Sequence, residues 1–420
     1  MSLEDEGVRG SGERAVAPGP VLGPPQGRGH RSVVRLTREW YVACRSDELE
    51  GGEVGNGVAG GGSLPERLGR RSAPLAMTVA GVPLVLFRDG TGRASALLDR
   101  CAHRNVPLSL GRVTREGTLE CGYHGWRFTG EGRCSAIPGL CSPLEKVYRV
   151  HSYATREQDG FVWVCPEPDV IPERDPLRVP ALDDSRYEHV VRRVEVRASL
   201  HAAIENALDV PHTGYLHRGL FRGGKKNRIR AVVRRYRDRV EAEYLGEPKP
   251  PGVVAKILAP HGGGIVRHWD RFFLPGVAQV EYALGEDTHL VVTSFCTPVE
   301  DFHTIMFAVV SFRTPLPGAL VRRVLEPVAR RIFGQDAAIL AKQTEAIERF
   351  GGEQFVSTEI DVLGPSVWRL LRDAERAEQA ASAHQGTPRH TDGGGAAATR
   401  GGATRSIADE PVVHAVDLEV

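Results

Sequence analysis

Four residues able to bind a metal stand in two tandem pairs: Cys101-Ala-His103, a spacer of seventeen residues, then Cys121-Gly-Tyr-His124. Two thiolates and two imidazoles are the donor set of a [2Fe–2S] centre in which sulfurs hold one iron and histidine nitrogens the other. That ligation raises the reduction potential to roughly −150 to +300 mV. A Cys2His2 zinc site has the same inventory, but zinc motifs usually group cysteines with cysteines and histidines with histidines. Here each loop carries one of each. A second constellation follows in Glu205-Asn-Ala-Leu-Asp209-Val-Pro-His212-Thr-Gly-Tyr-Leu-His217. Two histidines five apart, after acidic residues and on a helix running into a Pro- and Gly-containing turn, can converge on one metal. A carboxylate would complete a facial triad that leaves positions open on Fe(II). Taken alone, the pair reads equally well as polar surface histidines at a helix end.

The wording around the ligands carries a resemblance. Asp99-Arg-Cys-Ala-His-Arg-Asn-Val-Pro-Leu and Leu119-Glu-Cys-Gly-Tyr-His-Gly-Trp-Arg-Phe are tight loops preceded by apolar, strand-like residues. The chain resembles the Rieske non-haem iron oxygenases, or ring-hydroxylating oxygenases, over roughly 35–375. Rieske proteins of respiratory complexes carry an extra cysteine in each loop; Val106 and Tyr123 occupy those positions here. The family pattern Asn-x-x-Asp-x-x-His-x4-His is met by Asn206, Asp209, His212 and His217. The resemblance implies Cys101, His103, Cys121 and His124 as cluster ligands and His212 and His217 as ligands of a mononuclear iron. It implies Asp209 as a hydrogen-bonded electron relay from His124 of an adjacent chain to His212, and hence a ring-shaped homo-oligomer, most often a trimer. A carboxylate on the far ring nitrogen of a ligand histidine fixes its tautomer and raises its basicity.

The third iron ligand is expected further along. Gly334-Gln335-Asp336 resembles the family segment where a Gln-Asp or Glu-Asp pair opens a long helix and the Asp binds iron. The plain alternative for Asp336 is an N-cap or first-turn acid. Asp361 and Glu345 are fallbacks. His201 reads as a framework histidine and His268-Trp-Asp-Arg as a strand that could approach the pocket. His261 and His303 carry weaker signals, and His384, His390 and His414 are expected to be exposed in a tail. The remaining cysteines (Cys44, Cys134, Cys141, Cys165 and Cys296) show no paired spacing and read as small buried residues, which favours a reducing compartment.

The elements that must position these residues follow. With 420 residues and 41% hydrophobic content the chain can bury two cores. Basic and acidic residues balance at 54 against 53, which gives no electrostatic case for nucleic acid or membrane surfaces. No apolar stretch would span a bilayer, and the N-terminus lacks a secretory core, so a cytoplasmic location is expected. The expected fold class is α+β: a small all-β Rieske domain, then an antiparallel sheet covered by helices. Residues 1–32 are expected to be disordered, 33–166 to form the Rieske domain with a glycine-rich insertion at 51–62, 167–377 the catalytic domain, and 378–420 a flexible low-complexity tail. Strands are expected over Val190–Ala198, Ile229–Val233, Arg239–Tyr244, Val277–Tyr282, Leu290–Thr297 and Thr304–Arg313.

The function so implied is the terminal oxygenase component of a multicomponent Rieske system. One [2Fe–2S] cluster and one mononuclear Fe(II) per chain would use O2 and electrons from NAD(P)H. No dinucleotide-binding fingerprint is present, so a separate reductase, with or without a ferredoxin, must deliver those electrons. Monooxygenation of an apolar or aromatic small molecule is expected; dihydroxylation, demethylation, desaturation, or pure electron transfer are the alternatives. The pocket is expected from the 218–335 region, with Leu220, Phe221, Phe272, Phe273, Val280 and Phe307 as candidates. Whether Gly223-Gly-Lys-Lys meets substrate or only solvent is left open.

Overall fold

The computed structural model describes residues 32–50, 73–142, 146–218, 228–248, 266–385 and 410–419. The expectations for 1–31, the 51–62 insertion, Leu220, Phe221, the Gly223 turn, His261 and His390 lie outside these residues, as does the His384 side chain.

The first half is three small antiparallel sheets. β1 (Tyr41–Arg45), β11 (Phe161–Val164) and β10 (Thr155–Gln158) make one, and β2 (Leu75–Val79), β3 (Val82–Arg88), β4 (Ala94–Leu98) and β9 (Ser152–Tyr153) make the second. The third holds β5 (Arg112–Val113), β6 (Leu119–Glu120), β7 (Arg127–Phe128) and β8 (Cys134–Ala136). β4 is buried at every residue, and the first cluster loop follows it directly. After a connection containing the short helix α1 (Pro180–Asp183), a single eight-stranded antiparallel sheet forms. Its members are β12 (Glu188–Val196), β13 (Arg228–Arg235), β14 (Arg239–Leu245), β15 (Arg267–Phe273), β16 (Val277–Leu284), β17 (Thr288–Glu300), β18 (His303–Arg313) and β19 (Val412–Glu419), in the spatial order 12-18-17-16-15-14-13-19. The expected α+β class is met, with every expected strand present.

β17 and β18 are buried almost end to end rather than at alternate residues. Both sides are covered. Helix α2 (Leu200–Leu208) packs on β16 and β17, while β1 and β2 of the first domain press on β17. The Thr297 hydroxyl donates to the Val42 carbonyl at 2.7 Å, and Trp163 meets Phe295 edge to face at 5.0 Å. The two domains therefore share one continuous core, and their relative placement is fixed by packing rather than by a hinge.

Two helices close the architecture, and both differ from expectation. α4 (Gly318–Arg349) is a single helix of 32 residues, so Asp336 lies within it and not at its start. Pro327 sits inside this helix without ending it. Burial of Val321, Leu325, Ala329, Leu340, Thr344 and Ile347 marks one stripe, and Asp336 falls in register with it. An N-cap role for Asp336 is thereby removed. α5 (Gly364–Gln385) runs past residue 378, and β19 pairs along the whole of β13. The segment after 378 is thus not a uniformly flexible tail. The Ala/Gly/Thr-rich composition masked a local Val-Val-His-Ala-Val-Asp-Leu-Glu run with strand character. His414 is exposed, as expected, but on this strand.

β19 covers an edge that would otherwise present open hydrogen-bonding groups. Leu418 is its one buried side chain among the described residues, 3% exposed. Leu418→Ala is expected to cost roughly 2 kcal/mol. A chain ending at Asp409 should melt lower still and form larger assemblies, read by calorimetry and light scattering. Unchanged melting and size would show the strand to be dispensable.

Candidate metal centres

The two cluster loops share one backbone design. In the first, Cys101 N–H donates to the Val106 carbonyl (2.9 Å) and Asn105 N–H to the Cys101 carbonyl (3.0 Å). In the second, Cys121 N–H donates to Trp126 (2.8 Å) and Gly125 N–H back to Cys121 (3.0 Å). The residue that closes each turn has positive φ, 61° at Asn105 and 70° at Gly125. A Cβ on Gly125 would sit 2.9 Å from Pro138 Cγ, so glycine is required there twice over. Asp99 ties the first loop down by accepting from Ser109 N–H (2.7 Å) and Oγ (2.6 Å).

The loops face each other. Cys101 and Cys121 are buried, whereas His103 is half-buried and His124 exposed. The two imidazoles lie 4.5 Å apart between centroids, with Trp126 stacked on His103 at 4.8 Å. Burial, together with the neighbouring Cys121, pushes the Cys101 thiol up to about 11. Protonated thiols packed together are a poor resting state, and iron binding removes their protons. The Nδ1 atom of His103 is buried without a partner among the described residues. These donors fit a [2Fe–2S] cluster, with the thiols inside and the imidazoles at the surface.

The second group is built from three elements. α2 ends at Asp209, and Val210-Pro211 turns the chain into α3 (His212–Leu216), so the histidines sit on a separate five-residue helix and its end. His212 Nε2 lies 3.3 Å from His217 Nε2. Asp336 Oδ1 lies 3.0 Å from His217 Nε2 and 3.6 Å from His212 Nε2. Adjacent ligands on bonds of about 2.1 Å are separated by roughly 3.0 Å, so the spacing suits one face of a metal's coordination shell.

The far nitrogens are already used. His212 Nδ1–H donates to the Asp209 backbone carbonyl, and His217 Nδ1–H to Gln335 Oε1 at 3.0 Å. Both Nε2 lone pairs then point at a carboxylate oxygen. Burial lowers the His217 pKa, but its hydrogen bonds to Asp336 and Gln335 outweigh this and raise it. Without a metal, a proton on His217 therefore serves Asp336; a metal ion held by the three atoms would take that proton's place. Burial raises the Asp336 carboxyl, but the two imidazoles outweigh it and hold it below the usual range. Its Oδ1 has no conventional hydrogen-bond partner among the described residues. The fallbacks are elsewhere engaged: Glu345 pairs with Lys342 at 2.8 Å, and Asp361 accepts from Thr358 N–H at 2.7 Å.

Asp209 differs in detail from expectation. Its carbonyl, not its carboxylate, bonds His212; the carboxylate Oδ2 stays 3.7 Å away. Burial lifts that carboxyl to about 6. Asp209 and His212 line an open cavity of about 1210 Å³ with Glu205, Tyr215, Tyr244 and Trp368. Of the expected pocket residues that are described, Phe272, Phe273, Val280 and Phe307 are not among its lining. Phe272 and Phe307 are core, Phe307 packed on Phe161, because strand alternation turns them inward.

The comparisons agree with this geometry. A profile of the Rieske [2Fe-2S] domain matches residues 39–153, and one of the vanillate O-demethylase oxygenase C-terminal domain matches residues 196–377. The chain belongs to the Rieske non-haem iron oxygenases. These are oxidoreductases. Similar proteins include chlorophyllide a oxygenase of Chlamydomonas reinhardtii (28% identical, covering 71% of this chain and 45% of that one). The vanillate O-demethylase oxygenase subunit of a Pseudomonas strain is 26% identical, over 82% of this chain and 96% of that one. The 3-chlorobenzoate-3,4-dioxygenase oxygenase subunit of Comamonas testosteroni is 27% identical, over 67% and 60%. Among solved structures, dicamba monooxygenase bound to 3,6-dichlorosalicylic acid shares the fold with a TM-score of 0.67 at 22% identity, over 83% of this chain and all of that one. The chain thus spans about half the length of some curated relatives and nearly all of others.

Other histidines sort plainly. His201 Nε2–H donates to the Gly364 carbonyl at 3.1 Å, a framework role, and His303 lies 3.6 Å from Glu195. Cys44, Cys165 and Cys296 are buried as expected, but Cys141 is exposed. His268 does not reach the cavity lining. It is buried, stacked between Tyr244 (4.4 Å) and Tyr282 (4.1 Å), with Glu247 at 2.7 Å on Nδ1 and Asp270 at 3.0 Å on Nε2. Sequence reasoning missed its partners. The available signal was the i, i+2 spacing of His268 and Asp270 on one strand face.

Two predictions follow from this geometry. Asp336→Ala should abolish tight Fe(II) binding in titrations while leaving the visible cluster spectrum unchanged; retained binding would place the third ligand elsewhere. Burial lowers the His268 pKa, but Asp270 and Glu247 more than offset it and raise it from 6.5 to about 9. Its contribution is therefore complete below pH 6.5 and lost as pH rises through 9, on the order of 3 kcal/mol. His268→Gln should flatten that part of the stability–pH curve. An equal slope in both proteins would contradict the charged cluster.

Proposed function

We propose that the chain is the terminal monooxygenase of a multicomponent system acting on an apolar or aromatic small molecule. The observation that carries this is the convergence of His212, His217 and Asp336, with both Nδ1 atoms already hydrogen-bonded. Fe(II) held there supplies open coordination positions for the activation of O2. Cys101, His103, Cys121 and His124 would hold the cluster that feeds it electrons from a separate reductase. In the proposed reaction one oxygen atom enters a substrate C–H bond. The other leaves as water, with two electrons and two protons taken up. Insertion into a methoxy group releases formaldehyde, so demethylation is the second reading. It is favoured by the vanillate O-demethylase profile over residues 196–377.

Electron delivery is proposed to cross between chains of a homotrimer. Leu110 (72% exposed) and Tyr123 (62%) present an apolar surface around His124, and Tyr215 (75%) and Val356 (88%) present another at the cavity beside Asp209. Exposed apolar groups of this kind mark interaction surfaces. The Asp209 carboxylate, not bonded to His212, is available to His124 of an adjacent chain. No described helix is long and apolar enough to cross a membrane. The cysteines are all free, and the proposed location is the cytoplasm.

Asp209→Asn should retain cluster and mononuclear iron yet lower formaldehyde release from methoxyaromatic compounds at least a hundredfold. Turnover within twofold of the unaltered protein would sink the relay.

A further inference from the structure

The two histidines of the cluster loops have different aromatic neighbours. Tyr123 lies against His124, on the surface that the relay reading assigns to an adjacent chain. Trp126 instead stacks on His103, with centroids 4.8 Å apart and ring planes 5° from parallel, and Tyr148 meets Trp126 edge to face at 5.1 Å. The backbone fixes Tyr148 there. Cys134 N–H of β8 donates to the Tyr148 carbonyl at 2.8 Å, and Val150 N–H donates to the Gly132 carbonyl at 2.9 Å. Trp126 is half-buried and Tyr148 exposed, so three rings in contact lead from the surface to His103.

Tyr148 stands among exposed apolar side chains: Leu140 is 49%, Val147 64% and Tyr148 38% exposed. Apolar groups left in water in this way mark interaction surfaces. Basic residues flank them. Arg133 and Arg149 face each other across one antiparallel bridge, both exposed, and Lys146 precedes Val147. Arg149 is shared with Asp169 at 3.3 Å. Between 101 and 150 the chain carries seven basic residues against four acidic ones, although the whole chain balances at 54 to 53. An apolar centre with a basic rim fits a protein whose own face is acidic. Rim charges of this kind steer encounter, while desolvation of the centre holds the complex.

We propose that Leu140, Val147 and Tyr148, rimmed by Arg133, Lys146 and Arg149, are the docking surface for an acidic one-electron carrier protein, and that Tyr148 and Trp126 form the contact route from that protein to His103. This rests on the oxygenase reading above. One electron leaves the reduced centre of the carrier and is taken up at the cluster that Cys101, His103, Cys121 and His124 would hold. No covalent bond forms or breaks.

The probe is an acidic plant-type [2Fe–2S] ferredoxin. Binding of its oxidised form to the full chain is measured by calorimetry, and reduction of the cluster by its reduced form is followed by stopped flow. Affinity is expected to fall about tenfold or more between roughly 50 and 500 mM salt, and as much in the double variant Arg133→Glu, Val147→Asp. Reduction by ferredoxin should slow likewise in that variant, while reduction by the methyl viologen radical should not. Tyr148→Leu should keep the affinity but lower the limiting rate at saturating ferredoxin at least threefold. No binding to the unaltered chain, affinity within twofold in the double variant, or equal slowing with both reductants overturns the docking surface; an unchanged limiting rate in Tyr148→Leu overturns the route. Binding of ferredoxin by a chain without a cluster spectrum would count against the oxygenase reading and not against the surface.

Discussion

Three acceptor atoms, two imidazole nitrogens and one carboxylate oxygen, meet within 3.0–3.6 Å in a half-buried site. Without a metal only a proton on an imidazole relieves their repulsion, and the Asp336 carboxylate raises the His217 pKa accordingly. The protein sustains this arrangement by engaging the opposite nitrogens, one through the backbone of Asp209 and one through Gln335. Such outer partners fix ring orientation and tautomer, and losing them typically weakens metal affinity roughly 10–100-fold. The rest of the catalytic domain serves this meeting. The long helix α4 needs its buried stripe to aim Asp336 inward, and the eight-stranded sheet gives that stripe a surface to pack on.

The cluster end follows the opposite logic. Its cysteines are inside and its histidines nearer the surface, so the polar, proton-bearing side of the centre faces solvent. Two loops of matching hydrogen-bond pattern hold it from either side. Because the first domain shares its core with β17, neither centre can swing freely toward the other within one chain.

Much of this was legible where the chemistry is local. The cluster loops are short turns, so ligand spacing and loop geometry are the same information. His212 and His217 lie on one short segment and could be read together. Asp336 could be named but not placed: Pro327 and Gly334 look like helix breaks, yet packing of one continuous stripe overrides both. β19 was hidden by the Ala- and Gly-rich stretch before it, because composition averages over a strand of eight residues. The Tyr244–His268–Tyr282 row was invisible for a different reason. It exists only through cross-strand register, and a one-residue slip would scatter it. Phe272 and Phe307 were misassigned to the pocket on the same account.

Iron and acid-labile sulfide per chain, measured after anaerobic purification beside the visible spectrum, test the central claim most directly. About three irons with two sulfides are predicted, two irons for the cluster and one for the triad. Two irons with two sulfides, unchanged by added Fe(II), would contradict a metal centre at His212, His217 and Asp336.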